Sequence, residues 1–489
     1  MNVIPCTTWV RRGVAAAVPE KLELTPAELE QIIHQTQSDI QDLEDNSDED
    51  SNAGTSQKKE KVDIDLDASK EDEFNFDKYD EESGNIQCSI RGIATFGKDG
   101  KDPLITEEDH DSEEEDDIIK SDDNLVLIGH VDGDASILEV FVYNESEGSF
   151  YCHHDILLPS FPLCIEWLNY DPADNKPSNL CAIGNMTPII EVWDLDLIDS
   201  LEPAYRLGRK ASKKKKQKHI GHKDAVLDVT WNEHFSHVLA SGSVDQTVLL
   251  WDLENGKPVN KFNSFNEKVQ SIKWHPSETH QLLTGCADKM VRLFDCRHET
   301  MTKSWETSGE VERVLWNSFD PNYCLASTNN GYIEYVDIRT QQAVWKVVAH
   351  ETEVTGLSLS SSCPGCLVSS SNDGVIKVWD IIDNKEPQCV WENKSNLGAL
   401  QCLASNPNNP FVFAVGGDNK QHNFKVLDLT EMSAVRDRFK ERGQVNLKVS
   451  GQKSAVQGQV EMMDVTEEME SMDLKSAEHV TTKKKKAKK

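Results

Sequence analysis

Two sets of side chains recur with the types and spacing that acid–base chemistry uses. His222 is followed by Ser241, Asp245 and Trp251, and His350 by Ser369, Asp373 and Trp379; the step from His to Trp is 29 residues in both. A serine, a histidine and an aspartate within hydrogen-bond reach could serve as nucleophile, base and orienting carboxylate. A catalytic constellation has no reason to recur at one interval along a chain. The other chemistry open to these groups is structural. An aspartate on a tight turn accepts from the imidazole, while the serine hydroxyl and the indole N–H complete a buried hydrogen-bonded chain, which rigidifies its surroundings when every member is paired. The repetition favours this second reading. Cys363 and Cys366 form CPGC, but no second pair follows at zinc spacing. A Pro-Gly turn joining two strands accounts for them. Walker, dinucleotide and zincin motifs are missing from the sequence. The expectation is therefore a protein that is not an enzyme, with no catalytic residues, no cofactor, no metal site and no small-molecule substrate.

These sets belong to a longer rhythm. Short strand-like runs ending in Asp recur as EVWD at Asp194, LLWD at Asp252, RLFD at Asp295, EYVD at Asp337, KVWD at Asp380 and KVLD at Asp428. Their spacings are 58, 43, 42, 43 and 48 residues, and the long first gap holds a lysine-rich insertion at 208–218. A period of roughly 40–45 residues with a Trp-Asp mark denotes one four-stranded propeller blade per unit. On these residues the sequence resembles the WD-repeat family, and the two polar sets resemble its structural tetrad.

The tryptophans give an independent frame. Trp167, Trp231, Trp274 and Trp316 end the first strand of a unit, Trp193, Trp251 and Trp379 the third, and Trp305, Trp345 and Trp391 lie on the outermost. Trp9, in IPCTTW, looks like another first-strand ending, whose blade would resume only at 125–143. Either the N-terminal strand opens a seventh blade, or a six-bladed ring leaves the N-terminus free; the likeness of IPCTTW to the other endings favours seven. The fold class expected is all-β, a seven-bladed WD-repeat β-propeller with a disordered acidic insertion and a charged C-terminal tail. Several blades depart from the pattern. Phe294 stands where Trp belongs although Thr284 and Asp288 persist, the next blade has Asn330 and Val336, and the last has an irregular turn at Asp418. Apolar packing is expected to hold these together.

Charge divides the rest. The formal charge is −34, and residues 38–123 hold 31 Asp or Glu against 9 Lys or Arg. Such a block repels itself and buries too little apolar surface to offset its ordering entropy. The divisions read as 1–10, first-blade strand; 11–37, a segment with an amphipathic helix starting near 25; 38–123, acidic disordered insertion; 124–430, propeller; and 431–489, C-terminal tail. The helix is marked by Thr25 with Glu28 as a capping box, by Pro26, and by Leu29, Ile32, Ile33, Ile40 and Leu43 on one face. It either packs on the rim or docks in a partner's groove. The opening residues do not read as a signal peptide, and no apolar run approaches the roughly 18–20 residues that cross a bilayer. An intracellular, soluble protein away from membranes is expected, its 12 cysteines reduced and several, such as Cys164, Cys286, Cys324 and Cys402, acting as small buried hydrophobes.

Two serines and two lysine clusters carry regulatory or targeting chemistry. Ser47 and Ser112 each precede an acid by three residues, the context acidophilic kinases take. Lys213, Lys214, Lys215 and Lys216 in one cluster, and Lys483, Lys484, Lys485 and Lys486 in the other, read as nuclear-targeting or nucleic-acid-contacting runs. The patch EFNFDKYD at 73–80 suits a basic partner.

The whole layout resembles the periodic tryptophan protein 1 family, a nuclear and nucleolar WD-repeat family. The carrying features are WVRRGVAAAVPEKLEL at 9–24, the helix after it, the acidic insertion, the tryptophan-marked blades and the lysine-rich insertion before GHKDAVLDVTW. The resemblance implies a role in ribosome biogenesis: large-subunit assembly, pre-rRNA processing and ribosomal-DNA transcription in nucleus and nucleolus. The partners it implies are pre-ribosomal proteins and rRNA, with direct RNA contact left open, and histones or chromatin. A histone-binding regulator is the alternative. A cullin-ligase substrate receptor is a lesser one, because Asp295-Cys296-Arg297 and Asp337-Ile338-Arg339 echo a Trp-Asp-x-Arg box in which Phe294 and Val336 replace Trp.

Overall fold

Strands in this chain are apolar on both faces, because each sheet is sandwiched between two others. Leu180–Asn185 is buried throughout, as are Val412–Gly417 and Leu239 to Ser243. Continuous apolar runs of this kind belong to strands covered on both sides. Small residues let the sheets approach closely. A Cβ on Gly285 would sit 2.5 Å from the Val311 side chain of the next blade, and one on Gly184 would sit 2.9 Å from the Val226 side chain of the blade after its own.

A computed structural model describes residues 1–22, 118–173, 176–211, 217–298, 300–382 and 386–442. They form seven radial sheets, six of four strands and one of three. The innermost strands, in ring order, are Asn2–Val10, Pro162–Leu168, Val226–Trp231, Val269–Trp274, Val311–Trp316, Gly356–Leu359 and Leu400–Ser405. Blade one takes its innermost strand from the N-terminus and the rest from Asn124–Asp132, Ala135–Asn144 and Ser149–Leu158. Trp9 pairs with Val126 and Thr8 with Leu127, so the ring has seven blades and the acidic stretch leaves from inside the first. Its two ends are drawn together where Ile119 N–H donates to the Ala17 carbonyl at 2.9 Å, and Glu20–Lys21 pairs in parallel with Leu197–Ile198.

Two boundaries differ from those drawn on composition. Ile119 is buried and Asp123 accepts from Asn144 and from the Lys120 N–H, so residues 118–123 belong to blade one rather than to the acidic insertion. Charge count alone hid a segment whose acids are hydrogen-bonded. Residues 431–442 are likewise not tail. Residues 433–442 are helical, and Val435 and Phe439 are fully buried against Cys363, Cys366 and Phe413. Arg438 and Arg442 both clasp Asp380 at 2.6 and 2.7 Å. The helix near residue 25, the serines Ser47 and Ser112, the patch 73–80, and the lysines 213–216 and 483–486 lie outside the described residues.

Candidate interaction surfaces

The polar sets assemble as one chemistry with two degrees of completion. In blade three the Trp251 indole donates to Ser241 Oγ at 2.8 Å, Ser241 meets His222 Nε2 at 2.7 Å, and His222 Nδ1 faces both Asp245 oxygens at 3.2 Å. Burial pushes the Asp245 carboxyl up, but the His222 hydrogen bond outweighs it and the net displacement is well downward, so the aspartate stays ionised. In blade six Trp379 and His350 reach Ser369 at 2.9 and 2.8 Å, yet His350 Nδ1 stands 3.4 Å from Asp373 without a hydrogen bond. Burial drives His350 down to about 4, leaving it neutral at physiological pH. Both serines are fully buried, each enclosed by an imidazole and an indole. A substrate carbonyl has no approach to either hydroxyl.

The irregular blades contain more polar structure than their sequences suggested. In blade four Arg292 pairs bidentately with Asp288 at 2.9 and 2.6 Å, both nearly buried, and its guanidinium lies 5.3 Å from the Phe265 ring. Phe265, 29 residues before Phe294, stands where blades three and six have histidine, and a planar two-pronged donor meets the aspartate instead. In blade five Glu334 accepts from the Ser308 N–H and hydroxyl at 2.8 and 2.6 Å. Packing alone does not hold these blades, and the sequence signal was an ion pair four residues apart.

In the five blades whose innermost strand carries a Trp near its end, the residue three before that Trp lines the channel, and Cys402 of blade seven lines it too. Blades three, four and five place Asp228, Ser271 and Arg313 there; blades seven, one and two place Cys402, Cys6 and Cys164. Asp228 accepts from Ser271 Oγ and Ile272 N–H of the next blade, and Ser271 Oγ accepts from Val314 N–H of the one after. These belts stitch neighbouring blades. They enclose a cavity of about 260 Å³ that also exposes Glu166 and Lys273, 3.9 Å apart. Burial raises the Glu166 carboxyl, whereas for Lys273 the burial penalty is overcome by Asp228 and Glu166 and the ammonium is held. Burial pushes the Cys402 thiol up to about 12 and Cys6 well above its ordinary range, so these sulfurs are protonated and poor nucleophiles.

At the mouth of the channel, on the face carrying the tetrad turns, lies a second cavity of about 320 Å³. Met1, Val3 and Phe161 provide apolar lining, and Glu312, Glu353 and Asp418 bring three carboxylates to its edge. Gln270 donates to Glu312 at 3.2 Å, and Asn372 donates to Glu353 at 2.9 Å. Burial and then the Glu353 charge raise the Glu312 carboxyl, and the nearby Arg313 and Lys268 offset them only in part. Arg313 turns inward and gives its Nε–H to the Thr355 carbonyl. The mouth is thus an anionic ring around an apolar floor. The stem of the basic insertion, where Arg209 and Ile220 exchange backbone hydrogen bonds at 2.8 and 2.9 Å, immediately precedes His222 on this same face.

A third hollow, about 470 Å³, opens between blades three and four on the opposite face. Phe235, His237, Val259 and His280 line it beside Arg297. Arg297 and Arg339 each fold back bidentately onto their own Asp295 and Asp337.

Comparison with known proteins gives consistent results. Residues 135–319 match the family of nucleolar protein 10-like N-terminal domains, and residues 341–380 match the WD domain, G-beta repeat. The chain is 43% identical over 453 residues to the periodic tryptophan protein 1 homolog of Drosophila melanogaster, covering 90% of this chain and 96% of that one. It is 35% identical to the WD repeat-containing protein C17D11.16 of Schizosaccharomyces pombe, over 90% of this chain and 92% of that one. Periodic tryptophan protein 1 of Saccharomyces cerevisiae is 30% identical over 90% of each chain.

Proposed function

The chain belongs to the periodic tryptophan protein 1 family, and from that premise we propose that it is a non-catalytic scaffold of ribosome biogenesis. It would act in the nucleus and nucleolus, in large-subunit assembly and pre-rRNA processing, and in ribosomal-DNA transcription. The observation that carries the binding mode is the channel mouth, where Glu312, Glu353 and Asp418 surround an apolar floor. Such a site fits an extended basic segment that places an apolar side chain in the hollow and Lys or Arg against the ring. Ribosomal proteins and histones both carry such segments. The buried hydroxyls of the tetrads and the protonated channel thiols suit a rigid platform rather than a reaction centre. The basic clusters 209–218 and 483–489 supply counter-charge for rRNA and for nuclear import.

Affinity purification of the full chain, with and without RNase and across a salt series, tests this reading. Large-subunit precursor proteins recovered after RNase, and lost progressively with salt, are the expected result. Recovery of histones without pre-ribosomal proteins would replace it with the chromatin reading, and recovery of a cullin adaptor would replace it with the ligase reading.

A further inference from the structure

Among the described residues six blades have four strands, and the sheet of blade seven ends at its third, Phe424–Asp428. The parity of its hydrogen bonds can be read from the flanks. Gly417 N–H donates to the Asn423 carbonyl and Leu429 N–H to the Phe411 carbonyl. Because inward and outward backbone groups alternate along an antiparallel strand, Asn423, Lys425, Leu427 and Leu429 turn theirs toward the neighbouring strand. Phe424, Val426 and Asp428 therefore turn their amides and carbonyls outward, where no strand pairs with them among the described residues. The place left open is a slot one strand wide between two complete blades. On the blade-one side, Phe150 stacks on Phe141 at 4.9 Å and on Phe424 at 6.1 Å, and it is 42% exposed. On the blade-six side Trp391 is only half-buried, whereas its counterparts Trp305 and Trp345 are covered by the following blade.

We infer that this slot takes the chain's own residues 455–463 as the fourth strand of blade seven. Outward backbone groups select an extended segment, and a phenyl wall on one side selects apolar residues at every second position. The segment AVQGQVEMM alternates Val456, Gly458, Val460 and Met462 with Gln457, Gln459 and Glu461. Its apolar face suits Phe141 and Phe150, and its other face brings Glu461 to the side of Lys425. Chain geometry selects this run over the other alternating one, Val445, Leu447 and Val449. The helical residues 433–442 carry the chain roughly 15 Å away from Asp428. Val445 lies three residues past Arg442, a reach of about 10 Å, which is too short for the return. Val456 lies 14 residues past it and can span about 45 Å. An antiparallel fourth strand would enter beside Asp428, the end of the edge nearest the docked helix. Tethering also keeps this segment at an effective concentration no free strand matches easily.

Amide hydrogen exchange on the full chain, on residues 1–443 and on the full-length Gly458→Pro variant tests the assignment. The 1–443 chain retains the docked helix, and proline at 458 removes a donor from the added strand without touching the folded ring. The Phe424 and Val426 amides should exchange roughly tenfold or more slowly in the full chain than in either altered form. Equal exchange in the full and shortened chains would overturn the inference, as it would if only an added partner protein protected these amides. Protection lost on shortening but kept in Gly458→Pro would overturn the choice of segment.

Discussion

The Trp9 indole donates to the Ala404 carbonyl at 3.1 Å, joining residues 395 positions apart in the chain. The same bond runs from Trp274 to the Thr230 carbonyl and from Trp316 to that of Lys273, both at 3.1 Å. In each case the last residue of an IPCTTW-like strand reaches the penultimate residue of the innermost strand in the blade before it. The joint between the first and last blades is therefore built like an internal one. Trp9→Phe should keep the ring packing and lose one hydrogen bond, about 1 kcal/mol. Trp9→Ala should lose about 3–5 kcal/mol. Denaturant unfolding with unchanged m-value measures both, and a neutral Trp9→Ala would mean the N-terminal strand does not close the ring.

His350 gives the propeller a defined acid sensitivity. Its folded pKa of about 4 lies below the ordinary value of 6.5, so the unfolded chain binds the proton more readily. Its neutral form favours folding fully above pH 6.5, and that contribution fades as pH falls from 6.5 toward 4. His154, also lowered to about 4 by burial and by His153, adds a slope of the same sign, whereas His130, raised by its hydrogen bond to Glu139, opposes it. Unfolding free energy measured between pH 7 and 4 should fall less steeply in His350→Gln than in the parent chain. An identical slope would show that His350 titrates normally.

The Arg292–Asp288 pair should behave as a buried ion pair. Arg292→Met alone strands a carboxylate that is almost fully covered and should destabilise by about 3–5 kcal/mol. Adding Asp288→Asn should recover most of that loss. Equal stabilities of the single and double variants would show that water reaches Asp288 freely.

The helix at 433–442 should be part of the cooperative fold. Phe439→Ala should cost about 3–5 kcal/mol and quicken alkylation of Cys363, whose thiol burial now holds at about 11. Thermal unfolding and thiol labelling read both effects. Unchanged stability would detach the helix from the blades.

Much of this architecture was legible because it repeats. Trp251 and Trp379 mark strand ends, and the shared His-to-Trp interval marks the two polar sets, of which the one with His222 closes on its aspartate and the one with His350 does not. Trp9 was legible for the same reason, as the last letter of a recurring strand. Single events were not. The helix that buries Phe439 follows the final repeat and has no periodic partner, so nothing in the sequence sets Val435 and Phe439 apart from the tail. The Arg292–Asp288 clasp departs from the repeat, so no recurring spacing marks it. The mouth was invisible because Glu312, Glu353 and Asp418 come from three blades and meet only when the ring closes.

We propose that the anionic mouth holds the protein on ribosomal precursors. Gradient sedimentation of the parent chain against Glu312→Gln/Glu353→Gln/Asp418→Asn, with matching unfolding midpoints as the folding control, tests it most directly. The parent chain should travel with large-subunit precursors, and the triple variant should shift to the free fractions. A parent chain found only as free protein, or a triple variant that travels unchanged with the precursors, would contradict it.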